Sequence, residues 1–177
     1  MRVLIIALSF AFSLQNFCIS AAEKSLCSGK NVYRVLIVKK PKISIDGVLR
    51  RSEWPAATWY SSFLSPWKRT QPPLTQFSCI TDGRYLFFAF NCFDPDIVLK
   101  GSYPPDERTV AEGDRVELFF ARDPELKDYY CLEINPAGVV LDYKARFYRK
   151  FDSSWNCPGL FVTAKTNKHG YIVEGSI

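Results

Sequence analysis

The sequence predicts an all-β chain folded as an antiparallel β-sandwich. Three observations lead there. Short runs rich in β-branched and aromatic residues recur along the chain, turn residues separate them, and no stretch after residue 22 keeps a helical period. Composition agrees: of 177 residues, 47% are hydrophobic, 15% aromatic and 23% charged, which describes a folded chain rather than a low-complexity one. The length suits one domain. A net charge of +5, from 23 Lys+Arg against 18 Asp+Glu, is mild and dispersed and gives no ground for nucleic-acid binding. The single His removes His-rich metal sites.

The N-terminus reads as an export leader. Met1-Arg2 is positive, Val3 to Leu14 is apolar except for Ser9 and Ser13, and Ser20-Ala21-Ala22 supplies small residues before Glu23, in the order a signal peptide requires. This divides the chain into a signal peptide (1–22), an N-terminal extension (23–41) and the sandwich (42–177). The apolar run is too short to cross a bilayer as a helix, so no membrane insertion is expected. The mature chain is expected in the periplasm, at the cell surface or outside the cell. Export permits disulfides. Loss of Cys18 leaves Cys27, Cys79, Cys92, Cys131 and Cys157, an odd number. Cys79, Cys92 and Cys131 lie in apolar runs and read as core filler. Cys27 and Cys157 lie in polar sequence and are the partners if a bond forms.

The elements follow in order. Lys42-Ile43-Ser44-Ile45 alternates and stops at the Asp46-Gly47 turn signal. Trp54, beside the first strand, reads as core. Ser61 to Pro73 carries Pro66, Pro72 and Pro73 and reads as a loop. Gln76–Thr81 and Tyr85–Phe93 flank Asp82-Gly83, a strong hairpin signal. The second of these runs is apolar at nearly every position and fits a central strand covered on both faces. A polar stretch from Asp94 to Gly113 follows. In the strand after Asp114, Val116, Leu118 and Phe120 share one face while Glu117 takes the other. Tyr129–Asn135 repeats this, with Tyr130, Leu132 and Ile134 inward and Cys131, Glu133 and Asn135 outward. Pro136-Ala137-Gly138 turns into Val139–Phe147, Asp152–Trp155 reads as a loop, and Leu160–Thr166 with Tyr171–Ile177 forms a last hairpin around Lys168-His169-Gly170. The sequence ends within a strand, and further strands are expected to follow.

Five motifs in this order resemble the family 9 carbohydrate-binding modules: Ile45-Asp46-Gly47 with Trp54; Asp82-Gly83-Arg84-Tyr85-Leu86-Phe87-Phe88; Gly113-Asp114-Arg115-Val116-Glu117-Leu118; Tyr129-Tyr130-Cys131-Leu132-Glu133-Ile134-Asn135; and Gly170-Tyr171-Ile172-Val173-Glu174. The stand-alone family 9-like proteins are the nearer match, through Leu141-Asp142 and Trp155. The resemblance implies a jelly-roll or immunoglobulin-like sandwich related to DOMON domains. It implies polysaccharide or oligosaccharide binding without catalysis, structural calcium in many members, and association with xylan- or cellulose-acting hydrolases. Sugar-binding members hold a sugar between two tryptophans. The first lies just before the Asp-x-Val-Glu strand, where this chain has Val110-Ala111-Glu112-Gly113 and no ring, and the second lies beyond Ile177.

A pyranose presents an apolar C–H face, which a ring covers, and a rim of hydroxyls, which carboxylates, Asn and Arg can bind. The candidate sugar contacts are therefore Arg115, Glu117, Glu133, Asn135 and Trp155, with Arg115 also placed to pair with Glu117. Asp94, Asp96, Glu112 and Asp114 offer hard oxygens in loops and are the candidate calcium ligands. No other cofactor is required: haem would need axial ligands, and His169 sits alone in a turn. No residue is assigned to catalysis, although Glu117 and Glu133 raise the question of a glycosidase pair. The rival readings are a structural or adhesive sandwich without a sugar site and an accessory module of a glycoside hydrolase.

Overall fold

The computed structural model describes residues 2–4, 33–54, 59–63, 72–100, 107–121, 127–146 and 150–177. Its strands are β1 (Arg2–Leu4), β2 (Leu36–Ile37), β3 (Thr75–Thr81), β4 (Leu86–Phe93), β5 (Val116–Ala121), β6 (Asp128–Ile134), β7 (Val140–Arg146), β8 (Lys150–Asp152), β9 (Phe161–Asn167) and β10 (Gly170–Ser176), with a 3-10 helix over Glu107–Glu112. They form two five-stranded sheets, ordered β1-β5-β6-β7-β8 and β2-β3-β4-β10-β9. All ladders are antiparallel except β2 on β3. The expected antiparallel sandwich is the fold found.

The period-2 pattern sets the inner faces. Val116, Leu118, Leu132 and Ile134 from the first sheet meet Phe77, Cys79, Phe88, Phe90, Cys92, Tyr171 and Val173 from the second. Gly175 makes room for this core, since a Cβ there would lie 2.2 Å from Cζ of Phe88. β4 is covered on both faces, as its unbroken apolar run requires. Phe88 and Phe90 enter the main core, while Ala89 joins Trp54 and Ile80 in a second cluster bordered by Val38, Ile43, Leu49 and Phe87. Trp54 is the buried residue its setting predicts. The β3–β4 turn is fixed by Asp82, whose Oδ1 accepts from the N–H groups of Arg84 and Tyr85 at 2.8 and 2.7 Å.

Local details differ from the sequence reading. Lys42–Ile45 joins no ladder; it crosses the outer face of the second sheet, where Thr163 Oγ1 donates to the Ile45 carbonyl at 3.0 Å. Its alternation comes from packing on a sheet face, which imposes the same period as a strand. The short strands β2 and β8 and the 3-10 helix carry too few residues for a periodic signal. Arg2–Leu4 pairs with the edge of β5, while the rest of the expected leader and Cys27 lie outside the described residues. Cys157 is a half-buried free thiol. Among the described residues no helix is long and apolar enough to cross a membrane.

Candidate functional site

On the outer face of the first sheet, register brings the two candidate glutamates directly opposite each other, Glu117 on β5 against Glu133 on β6. Arg115 lies between them. Its Nε and Nη2 are each 2.9 Å from Glu117 Oε1, and its Nε is 2.5 Å from Glu133 Oε2. The one hydrogen of Nε is directed at Glu117. The Glu133 contact is therefore one of charge, and Oε2 has no aligned hydrogen-bond donor. The other Glu133 oxygen accepts from the Tyr143 hydroxyl at 3.0 Å. Arg115 Nη1 also donates to the carbonyls of Ala111 and Gly113, at 3.1 and 3.3 Å, which ties the cluster to the end of the 3-10 helix.

The cluster is nearly closed to water, with Glu117 and Glu133 each 6% exposed. Sequence parity turns both outward from the main core, but it cannot show that this face is itself covered. Burial and the negative charge of Glu133 push the Glu117 carboxyl above its ordinary value, against the pull of Arg115. Burial opposes the charge on Arg115, yet the two carboxylates outweigh it and hold the guanidinium pKa above its ordinary value. The thiol of Cys131, on the same face, is pushed up by burial and by both carboxylates, so it acts as a small apolar filler.

The other two candidates serve elsewhere. Asn135 Oδ1 accepts from the N–H groups of Ala137 and Val139, each at 3.0 Å, and so fixes the turn between β6 and β7. Trp155 lies on the core side of the first sheet, half-buried with its ring 4.7 Å from that of Tyr130. The sheet thus separates Trp155 from the carboxylate cluster. Rings do stand on the cluster's own face. Tyr143 opposes Cys131 and Phe151 opposes Ala145, and the Tyr143 and Phe151 rings meet at 5.2 Å, nearly perpendicular.

Among the described residues no three of His, Cys, Asp and Glu converge as a metal cage. Asp114 Oδ2 accepts from the Val98 N–H at 2.6 Å while the Asp114 N–H donates to the Val98 carbonyl at 2.9 Å, so this acid clamps the incoming chain to the start of β5. Burial, then the charges of Asp94 and Asp96, raise its pKa. Asp94 Oδ1 accepts from the Asp96 N–H, and Glu112 is exposed. Asp94 and Asp114 thus accept backbone N–H groups of their own loops.

Sequence reasoning missed Glu174, which is fully buried on β10. Its Oε2 accepts from the N–H groups of Asp46, Gly47 and Val48 at 3.3, 2.8 and 3.2 Å, and its Oε1 from Trp54 Nε1 at 3.2 Å. Gly47 reaches this geometry with φ at +74°, a region that favours glycine. Burial raises the carboxyl pKa, and the N–H donors oppose it. The Ile45-Asp46-Gly47, Trp54 and Gly170–Glu174 motifs, far apart in sequence, meet at this carboxylate. Only the buried acid in an otherwise apolar strand signals it beforehand.

Comparison with known proteins agrees with this architecture. The family model described as carbohydrate family 9 binding domain-like matches residues 45–177. A candidate carbohydrate-binding protein from Bacteroides uniformis superposes with a TM-score of 0.60 at 17% identity, covering 81% of this chain and 70% of its own. A family 9 carbohydrate-binding module from Caldicellulosiruptor kristjanssonii, solved with cellotriose, superposes at 0.52 and 18% identity, covering 81% and 67%. A search of curated proteins finds no match. With well over half its length matched, on a sandwich built around the same motifs, the chain belongs to the carbohydrate family 9 binding domain-like family.

Proposed function

We propose that this protein is an exported, non-catalytic module that binds a polysaccharide or oligosaccharide, acting beside hydrolases of the xylan or cellulose type. The observation that carries this reading is the family match over 45–177. The relative from Caldicellulosiruptor kristjanssonii was solved with cellotriose, which makes β-linked glucose chains the first ligands to try. The outer face of the first sheet is the proposed binding face, where Arg115, Glu117 and Glu133 lock the strands beneath rings that stay partly open. Absence of catalysis fits the state of the carboxylates. A glycosidase sets two acids on either side of a reacting bond with space for sugar or water, whereas these two lean on one guanidinium and are closed over.

Calorimetric titration of the protein with cellotriose and xylotriose, followed by a reducing-end assay on the same mixtures, tests the reading. Saturable binding with no new reducing ends is expected. A structural or adhesive role without sugar binding is the second reading. It is favoured by the sealing of Glu117 and Glu133, and absence of binding to any glycan would decide for it.

A further inference from the structure

We infer that Phe151, braced by Tyr143, is the ring on which a neutral pyranose of a β-linked glycan stacks. This rests on the carbohydrate-binding reading and goes beyond it by naming a contact that neither the motifs nor the resemblance points to. The register places Glu117, Glu133, Cys131, Tyr143, Ala145 and Phe151 on one face of the first sheet, across four adjacent strands. Phe151 is 55% exposed there.

The ring is also held in place. Its neighbour Tyr143 stands 5.2 Å away at 85°, and the Tyr143 hydroxyl is anchored on Glu133 Oε1, which Arg115 holds in turn. A surface already fixed in orientation loses little freedom when a ligand arrives. Hydroxyl partners are close by. β8 ends its sheet, so its outer backbone edge joins no ladder among the described residues, while Lys150 and Asp152 alternate with Phe151 and take the other face of the sheet. A ring beside a strand edge that joins no ladder among the described residues suits a ligand with an apolar face and a hydroxyl rim.

Other exposed rings lack this combination. The Arg84 guanidinium covers Tyr85 at 5.2 Å. Trp59 leans on the buried Trp54. Phe161 and Phe93 lie on the other sheet, away from the Glu133-anchored Tyr143 ring that braces Phe151.

The test compares the parent with Phe151→Ala, Phe151→Tyr and Phe161→Ala, titrating each with cellotriose and xylotriose and measuring its sedimentation. Loss of a stacking ring should weaken binding at least about tenfold, so Phe151→Ala is expected to fall by that factor while the other two bind like the parent. Phe151→Ala binding as tightly as the parent would overturn the inference and leave the carbohydrate-binding reading standing. A parent that binds neither sugar would overturn the inference, and absence of binding to any glycan would overturn the carbohydrate-binding reading with it. A parent dimer that Phe151→Ala turns into monomer would show instead that the ring joins two copies of the chain, and would also overturn the inference.

Discussion

Arg115 sits between two carboxyl groups that face each other across a strand pair. Breaking a buried ion pair by removing one partner typically costs about 3–5 kcal/mol. Arg115→Met, which leaves Glu117 and Glu133 without their cation, is expected to lose stability of that order by urea denaturation. The Glu117 carboxyl is raised above its ordinary value of 4.5, so the folded chain binds this proton more tightly than the unfolded chain. That contribution is complete below the ordinary value and is lost as pH rises through the raised one. Glu117→Gln stays neutral throughout. Its stability should therefore decline less than the parent's between about pH 5 and pH 8; parallel profiles for the two proteins would contradict the assignment. Glu174 is a separate case, holding four N–H donors from residues up to 128 positions away. An orphaned buried donor costs roughly 1–3 kcal/mol, so Glu174→Leu should lose about 3 kcal/mol or more in the same measurement.

At the level of the element, what could be read from sequence was what is local. The Asp82-Gly83 turn closes the β3–β4 hairpin through its own side chain, and β9 and β10 pair across Lys168-His169. The inward choice of Leu132 and Ile134 follows from alternation alone. Lys42–Ile45 has the same alternation without a ladder, because it is held through Thr163, more than a hundred residues on. Strand β8 was hidden by its three-residue length, and with it the position of Phe151. Packing at Gly175 gives an element-scale prediction. A Cβ there meets the Phe88 ring, and overpacking a core costs typically 1–3 kcal/mol. Gly175→Ala should lower the denaturation midpoint by about that energy, and an unchanged midpoint would show that Phe88 can move aside.

Across the whole molecule, the two outer faces do different work. The outer face of the second sheet is covered by the Val38–Trp54 segment and carries the second apolar cluster, closed by Glu174. The outer face of the first sheet buries its charges but leaves Phe151 open. Fold and family were legible because the motifs are short strand and turn signals set by backbone geometry. The site was only partly so: pairing of Arg115 with Glu117 followed from shared parity, whereas closure over the carboxylates and removal of Trp155 to the core side depend on packing that no single strand encodes. Hydrogen exchange of the full-length protein, with and without saturating cellotriose, tests the central claim most directly. The account predicts slower exchange over Val140–Asp152 when sugar is present, with β2 and β3 unchanged. Slowing confined to the β2-β3-β4-β10-β9 sheet would contradict it.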